Sequence, residues 1–287
     1  MSIELSQNNY GESRIRLLRL MRRGGLHEVK DLTVSVRFEG AFEAAHTKGE
    51  NRAILPADTV KNTVYVLARQ YPAEAIEEFA FHITEHFLTY NPQVTLVDVH
   101  LSERPWSRIT IGDKGHASAF LASASEKRTA HLQAAREKIT LESGLEDLFV
   151  MKTSGSTFDN FLRDPYTTLE EDQQRILSTA LNAAWSYEFP EPGMPFSTMW
   201  HGARKTLLET FAAHEGKSLQ HTLYAVGQAV LDNFESIGEI RLWMPDNYCP
   251  PVNLKPFGME NENEVFAPRE EPRGVAAATL HRRKGLV

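Results

Sequence analysis

The stretch Leu55-Pro56-Ala57-Asp58-Thr59-Val60-Lys61-Asn62-Thr63-Val64-Tyr65 combines a helix opening with groups that can meet a ligand. Pro56 and Asp58 are helix-start residues, Asp58 is able to cap, and an apolar stripe follows at Val60, Val64 and Leu67. A helix N-terminus offers free N–H groups and the positive end of a dipole, which suits an anionic or carbonyl-bearing ligand. Most capped helices bind nothing, so the stretch gains weight only from its company. His82-Ile83-Thr84-Glu85-His86 matches the H-x-x-E-H zinc pattern, with two histidines one helical turn apart. The same helix buries Ile83 and Phe87, and no His/Cys cluster elsewhere supplies a third ligand. The histidines are therefore read as packing residues, and no metal is expected. Ser154-Gly155-Ser156 lacks the flanks of a nucleophile elbow, and a P-loop is absent. Cys249 stands between Tyr248 and Pro250 without a clear histidine partner and is read as inert. Glu12 on its own is a charge at a strand start.

The elements that must position these residues follow from periodicity. Residues 14–21 form a strand, Gly24-Gly25 a turn, and 29–39 a second strand. In the second, Leu32, Val34, Val36 and Phe38 alternate with Thr33, Ser35, Arg37 and Glu39. Residues 41–57 read as a loop. A helix runs from Asp58 to about Gln70; Pro72 ends it and opens another to about Tyr90, with Ile76, Phe79, Ile83 and Phe87 on one face. Strands follow at 93–102, 106–112 and 115–122. The second half repeats the order: strands at 127–140, 145–153 and near 178–189, helices from Ser197 and Ser218, and strands at 239–244 and near 274–282. The economical interpretation is two α+β units, 1–125 and 126–287, each an antiparallel sheet with two helices on one face. The exposed strand edges suggest barrel closure within a ring-like oligomer.

Bulk properties narrow the class. The chain has 287 residues, 41% of them hydrophobic and 24% charged, enough for a substantial core. The net charge of −7, without a basic tail or patch, argues against a nucleic-acid partner. No run reaches membrane-span length, so no membrane partner is expected. A single cysteine and an N-terminus without a signal-like apolar core lead to the expectation of a cytoplasmic protein. Gly285-Leu286-Val287 is not a peroxisomal signal.

Several segments together resemble the urate oxidase (uricase) family. They are Tyr10-Gly11, His27-Glu28-Val29-Lys30-Asp31-Leu32, Phe42-Glu43-Ala44-Ala45-His46-Thr47 and Thr59-Val60-Lys61-Asn62-Thr63-Val64-Tyr65. Later in the chain come Phe161-Leu162-Arg163-Asp164, Tyr166-Thr167-Thr168-Leu169, Arg175-Ile176-Leu177, Gln220-His221-Thr222-Leu223-Tyr224 and Asn263-Glu264-Val265-Phe266. The resemblance implies a tandem tunnelling fold (T-fold), cofactor-independent oxidation with molecular oxygen as co-substrate, and a homotetramer with sites between subunits. It assigns Phe158 to stacking on a purine, and Arg175 and Gln220 to gripping its pyrimidine edge. Leu219 would contribute its backbone, and Asp58 would come from a neighbouring subunit. An Arg fork and an amide suit directional bonds to a flat oxidised heterocycle.

The reacting side departs from the family pattern. Glu12 stands where the family has lysine, Ala57 where it has threonine, Asp246 where it has asparagine and Tyr248 where it has histidine. Pro250-Pro251 interrupts the strand that normally follows. Two carboxylates near an anion repel it, so the expected ligand is a urate-like or aminopurine-like ring that is neutral or rich in N–H donors. Glu12 then acts as base or acceptor, Tyr248 donates to peroxide or water, and Ala57 leaves space for a larger substituent. Three alternatives stay open: ordinary urate oxidation through a rearranged relay, an acid/base hydrolase using Glu12 and Asp246, and a non-catalytic purine-binding paralogue.

Overall fold

A computed structural model describes residues 3–72, 74–122, 125–268 and 274–283; the tripeptide Gly285-Leu286-Val287 lies outside them. Its elements in chain order are β1 (Tyr10–Arg23), β2 (Leu26–Gly40), α1 (Glu43–Lys48), α2 (Ala57–Gln70), α3 (Ile76–Tyr90), β3 (Val94–Arg104), β4 (Trp106–Ile111) and β5 (Lys114–Ala122). These are followed by β6 (Lys127–Ala135), β7 (Ile139–Lys152), β8 (Leu177–Tyr187), α4 (Phe196–Ala213), α5 (Leu219–Asn233), β9 (Ile237–Asp246) and β10 (Gly274–His281). The chain divides into two compact units, Met1–Gly144 with Ser186–Trp200, and Leu145–Trp185 with His201–Val287.

In the first unit the strands lie in the order β1-β2-β3-β6, each pair antiparallel. The β1–β2 turn is two residues long, and Gly24 and Gly25 both have positive φ, which the tight hairpin turn needs. Alternation in β2 places Leu32, Val34, Val36 and Phe38 in the core, as their spacing predicts. Helix α2 packs on β1 through its buried Val60, Val64 and Leu67, and α3 packs on β3 and β6 with Ile76, Phe79, Ile83 and Phe87 buried. The β1–β2 ladder shifts register between Glu12, opposite Val36, and Ile15, opposite Val34. Inside this bulge Arg14 has φ 58°, and its N–H donates to Ser35 Oγ at 3.1 Å.

Beneath α3 lies a buried polar network. Glu77, with 0% exposure, pairs with Arg128 at 2.6 Å and accepts from Ser143, which accepts from the Tyr187 hydroxyl at 2.9 Å. The Arg128 guanidinium lies 5.3 Å from the Trp200 ring centroid. In the second unit the strands run β7-β8-β9-β10, with β9 and β10 antiparallel and α5 packed on both. Leu219, Leu223, Val226 and Val230 of α5 are buried at helical spacing.

Several boundaries differ from the sequence reading. The expected loop at 41–57 contains α1 and a 3₁₀ turn at Asn51–Ala53; buried Phe42 anchors α1 and Gly49 ends it in the left-handed region. Helix α3 opens at Ile76 rather than Pro72, because the apolar stripe that holds it to the sheet begins there. Strands β6 and β7 turn at 136–138 instead of at 141–144. Ala135 N–H donates to Lys138 O at 2.8 Å, in a segment without glycine or proline to signal a turn. No helix among the described residues is long and apolar enough to cross a membrane.

Candidate functional site

A cavity of about 250 Å³ in the second unit is lined by Phe158, Arg175, Leu219, Gln220, Asp246 and Tyr248, among others. These residues come from three separate parts of the chain. Phe158 sits in an irregular segment pinned by a reciprocal backbone pair: its N–H donates to Asp172 O at 2.7 Å, and Asp172 N–H returns to Phe158 O at 3.0 Å. One face of Phe158 stacks on Phe161, with centroids 5.0 Å apart and planes 14° apart. Arg175 N–H donates to Ser156 O at 2.9 Å, which fixes where its side chain enters the cavity. Leu219 and Gln220 open α5, where Ser218 Oγ accepts from His221 N–H at 3.1 Å as a true N-cap. Asp246 ends β9, and Asn247 N–H donates to Ser178 O at 3.0 Å to hold the chain as it leaves the sheet. Beyond it, Pro250 and Pro251 lie outside any strand element, as the missing proline N–H groups dictate.

The electrostatics of this cavity are dominated by one ion pair. Arg175 Nη2 lies 2.5 Å from Asp246 Oδ2, with the two side chains 10% and 21% exposed. The guanidinium carbon is 5.4 Å from the Tyr248 ring centroid and 5.9 Å from that of Phe158. Arg175 Nε and Asp246 Oδ1 are both buried without a partner. This corrects one expectation: Asp246 does not add an uncompensated negative charge beside a ligand, because Arg175 neutralises it. The pair is invisible to spacing, since 71 residues separate its members. Burial raises the pKa of the Cys249 thiol, and the Asp246 charge adds to it; the thiol is thus less easily ionised than an ordinary cysteine.

Glu12, Ala57 and Asp58 belong to the first unit. Glu12 is among the residues lining a cavity of about 480 Å³, together with Arg37, Asp98, His100 and His131. Asp98 is buried, which pushes its pKa up. Hydrogen bonds from His131, Gln133 and Arg37 outweigh that and hold it well below the ordinary carboxylate range. Ala57 is the first residue of α2, but the cap position falls to Pro56. Asp58 does not cap. Its carboxylate is taken by Lys61 at 2.6 Å and Asn62 at 2.9 Å, which depress its pKa. The hydrogen bond to Asp58 and the Asp58 charge raise the pKa of the Lys61 ammonium, and the Glu12 charge adds to them.

The remaining motifs are occupied by packing. His82 stacks on Tyr71 at 3.8 Å, and His86 lies against Phe87 and Tyr90. Among the described residues, no group of three or more His, Cys, Asp or Glu is arranged to hold a metal ion. Ser156 is buried and bridges to Gly216 as part of the Phe158 segment. Leu169, Glu170, Asp172 and Val275 also line this cavity; Leu169 falls in one of the segments that carry the family resemblance, and no periodicity or motif marks the other three.

Comparison with known proteins gives a consistent result. The family model described as Uricase matches residues 8–133 and 141–277. The uricase of Arthrobacter globiformis is 38% identical over 280 residues, spanning 98% of this chain and 90% of that protein. That of Arabidopsis thaliana is 34% identical over 299 residues, spanning 98% and 96%. The crystal structure of the Arthrobacter globiformis uricase superimposes with a TM-score of 0.93 at 37% identity, covering 100% of this chain and 98% of that one. The antiparallel sheet and its helices are thus the T-fold of the solved uricases, and the chain belongs to the uricase family of oxidoreductases.

Proposed function

We propose that this chain is a uricase-like, cofactor-independent enzyme that oxidises or oxygenates a urate- or aminopurine-like heterocycle with molecular oxygen. The observation that carries the reading is the convergence of Phe158, Arg175, Leu219 and Gln220 on one cavity. An aromatic face, a guanidinium and an amide beside a helix N-terminus are the groups a flat, nitrogen-rich ring requires. Asp246 and Tyr248 line the same cavity. In this reading Glu12, Ala57 and Asp58 join them from a neighbouring subunit of a cytoplasmic homotetramer, and Glu12, Asp246 and Tyr248 replace the family's relay. A carboxylate at Glu12 accepts a ring proton, and the Tyr248 phenol donates toward reduced oxygen. Ala57 leaves room for a ring substituent.

The test is a panel of purines and related heterocycles, followed by oxygen electrode and mass spectrometry with and without air. Oxygen-dependent turnover of an aminated or neutral ring, lost in Phe158→Ala, supports the reading. Equal turnover without air would replace it with acid/base hydrolysis, and binding without turnover with a non-catalytic paralogue.

A second reading, ordinary urate oxidation through a rearranged relay, draws on the 38% identity to the Arthrobacter globiformis uricase and on the neutralisation of Asp246 by Arg175. Peroxide release from urate at a rate typical of enzymes would establish it.

A further inference from the structure

The Arg175–Asp246 pair has an unusual shape for its surroundings. An arginine and a carboxylate buried together normally meet fork to fork, with two parallel bonds. Here a single bond, Nη2 to Oδ2, joins them. The other donor of that edge, Nε, and the other acceptor, Oδ1, are shut from solvent and have no partner. Each such orphan carries a desolvation cost that no bond offsets. The guanidinium carbon lies 5.4 Å from the Tyr248 ring centroid and 5.9 Å from that of Phe158, and the Arg175 side chain is only 10% exposed.

We propose that Asp246 and Arg175 together determine ligand specificity, and that the pair selects a neutral ring edge carrying both an acceptor and an N–H donor over an anionic edge carrying acceptors only. The proposal rests on the cavity being the ring site. With Asp246 bound, the charge of Arg175 is already met, so an anion gains little from it and must also displace a carboxylate. A neutral edge trades evenly: its carbonyl takes the guanidinium, and its N–H takes the carboxylate that the guanidinium releases. Both orphans then find partners. An acceptor-only edge leaves the carboxylate buried, charged and unmatched, which is the expensive outcome for any split ion pair. Asp246 thus sets what Arg175 can offer and also meets the ring N–H itself, which makes it a binding residue in this scheme.

The experiment compares Kd values for urate, an anion at neutral pH, and hypoxanthine, which is neutral there, using calorimetry on the wild type and Asp246→Asn. The substitution keeps the side-chain shape and removes the charge. Urate is expected to tighten about tenfold while hypoxanthine changes by about threefold or less, since the anion is freed of a like charge whereas the neutral ring loses only the charge assistance of one bond, which the Asn oxygen still accepts. Asp246→Ser provides a second charge-free variant should the first lower the unfolding midpoint. A merely structural role would move both rings together, so equal shifts, or no gain for urate in either variant, would overturn the proposal. Phe158→Ala separates the two levels. If neither ring binds the wild type, or if Phe158→Ala leaves both affinities untouched, the ring cradle itself fails and the pair's role with it. If Phe158→Ala weakens both rings while Asp246→Asn leaves their ratio unchanged, only the selectivity claim fails.

Discussion

Asp98 and His131 show how single residues in this molecule acquire a pH dependence. The Asp98 hydrogen bond raises the His131 pKa, and the Asp98 charge adds to it. A raised folded value means stabilisation that is complete below the free-histidine value of about 6.5 and lost as pH climbs through the raised one. Asp98 works in the opposite sense: its depressed value gives stabilisation that is present above about pH 4 and lost in acid. The two windows overlap between about pH 4 and 6.5. His131→Gln is therefore expected to lower the unfolding midpoint most near pH 5.5 and least near pH 9, by roughly a few degrees at the maximum, since about 1 kcal/mol corresponds to that shift in a domain of this size. Scanning fluorimetry across pH would check it, and a gap that does not narrow in alkali would contradict the assignment. At the same scale, Glu77→Ala strands Arg128 in the core and is expected to cost about 3–5 kcal/mol by denaturant titration. The double change Glu77→Ala with Arg128→Met is expected to recover much of that loss, because no charge is then left uncompensated.

At the scale of elements, α5 does two jobs. Its N-terminus presents Leu219 and Gln220 to the cavity, and its middle seats against β9 and β10. The seat is close at Gly227, where an added Cβ would lie 2.7 Å from Leu242 Cδ1 and 3.2 Å from the Leu280 methyls. Gly227→Ala is expected to cost about 1–3 kcal/mol in stability through overpacking. Where the helix rises rather than the leucine ends turning aside, ring binding weakens too, because the first turn of α5 carries Gln220. Thermal unfolding and ligand titration on the same preparation would test both effects.

Elements of this kind were the most legible part of the sequence. The buried stripes of β2, α2, α3 and α5 fall on the residues their periods mark, since burial on one face leaves a repeat in the chain. The turn at 136–138 and the short helix α1 left no such mark; neither has a repeat long enough to read. Of the residues lining the second-unit cavity, Glu170, Asp172 and Val275 were not legible at all, and Phe158, Arg175, Leu219, Gln220, Asp246 and Tyr248 were legible as a set through family resemblance alone. What holds them is a pair of backbone bonds between Phe158 and Asp172 and a salt bridge across 71 residues, and neither writes a local pattern.

For the whole molecule, family membership together with the proposal that Glu12, Ala57 and Tyr248 replace the family's relay points to one experiment. Restoring the family's relay with Glu12→Lys, Ala57→Thr and Tyr248→His together is expected to raise urate-dependent oxygen uptake by at least about tenfold over the native chain, a modest share of what positioned proton transfer contributes. The scaffold needed for this is a T-fold that matches the Arthrobacter globiformis uricase over its full length. If the triple variant stays inactive while still binding urate, the proposed replacement of the relay at these three positions is refuted as the cause of any difference in activity.

The bulge in β1 bears on how this chain tolerates change. Glu12 is even-numbered and Ile15 odd, yet both sit opposite members of the same buried valine row, Val36 and Val34. The start of the strand is thus out of phase with the remainder by one residue, and the surplus is absorbed at Arg14 in its left-handed backbone state. A hairpin shortened by Ser13 would keep Glu12 across from Val36 and relieve that backbone, whereas a residue lost from 16–22 would turn the carboxylate to the opposite side of the sheet. Length changes in this strand are therefore silent at one spot and disruptive a few positions away.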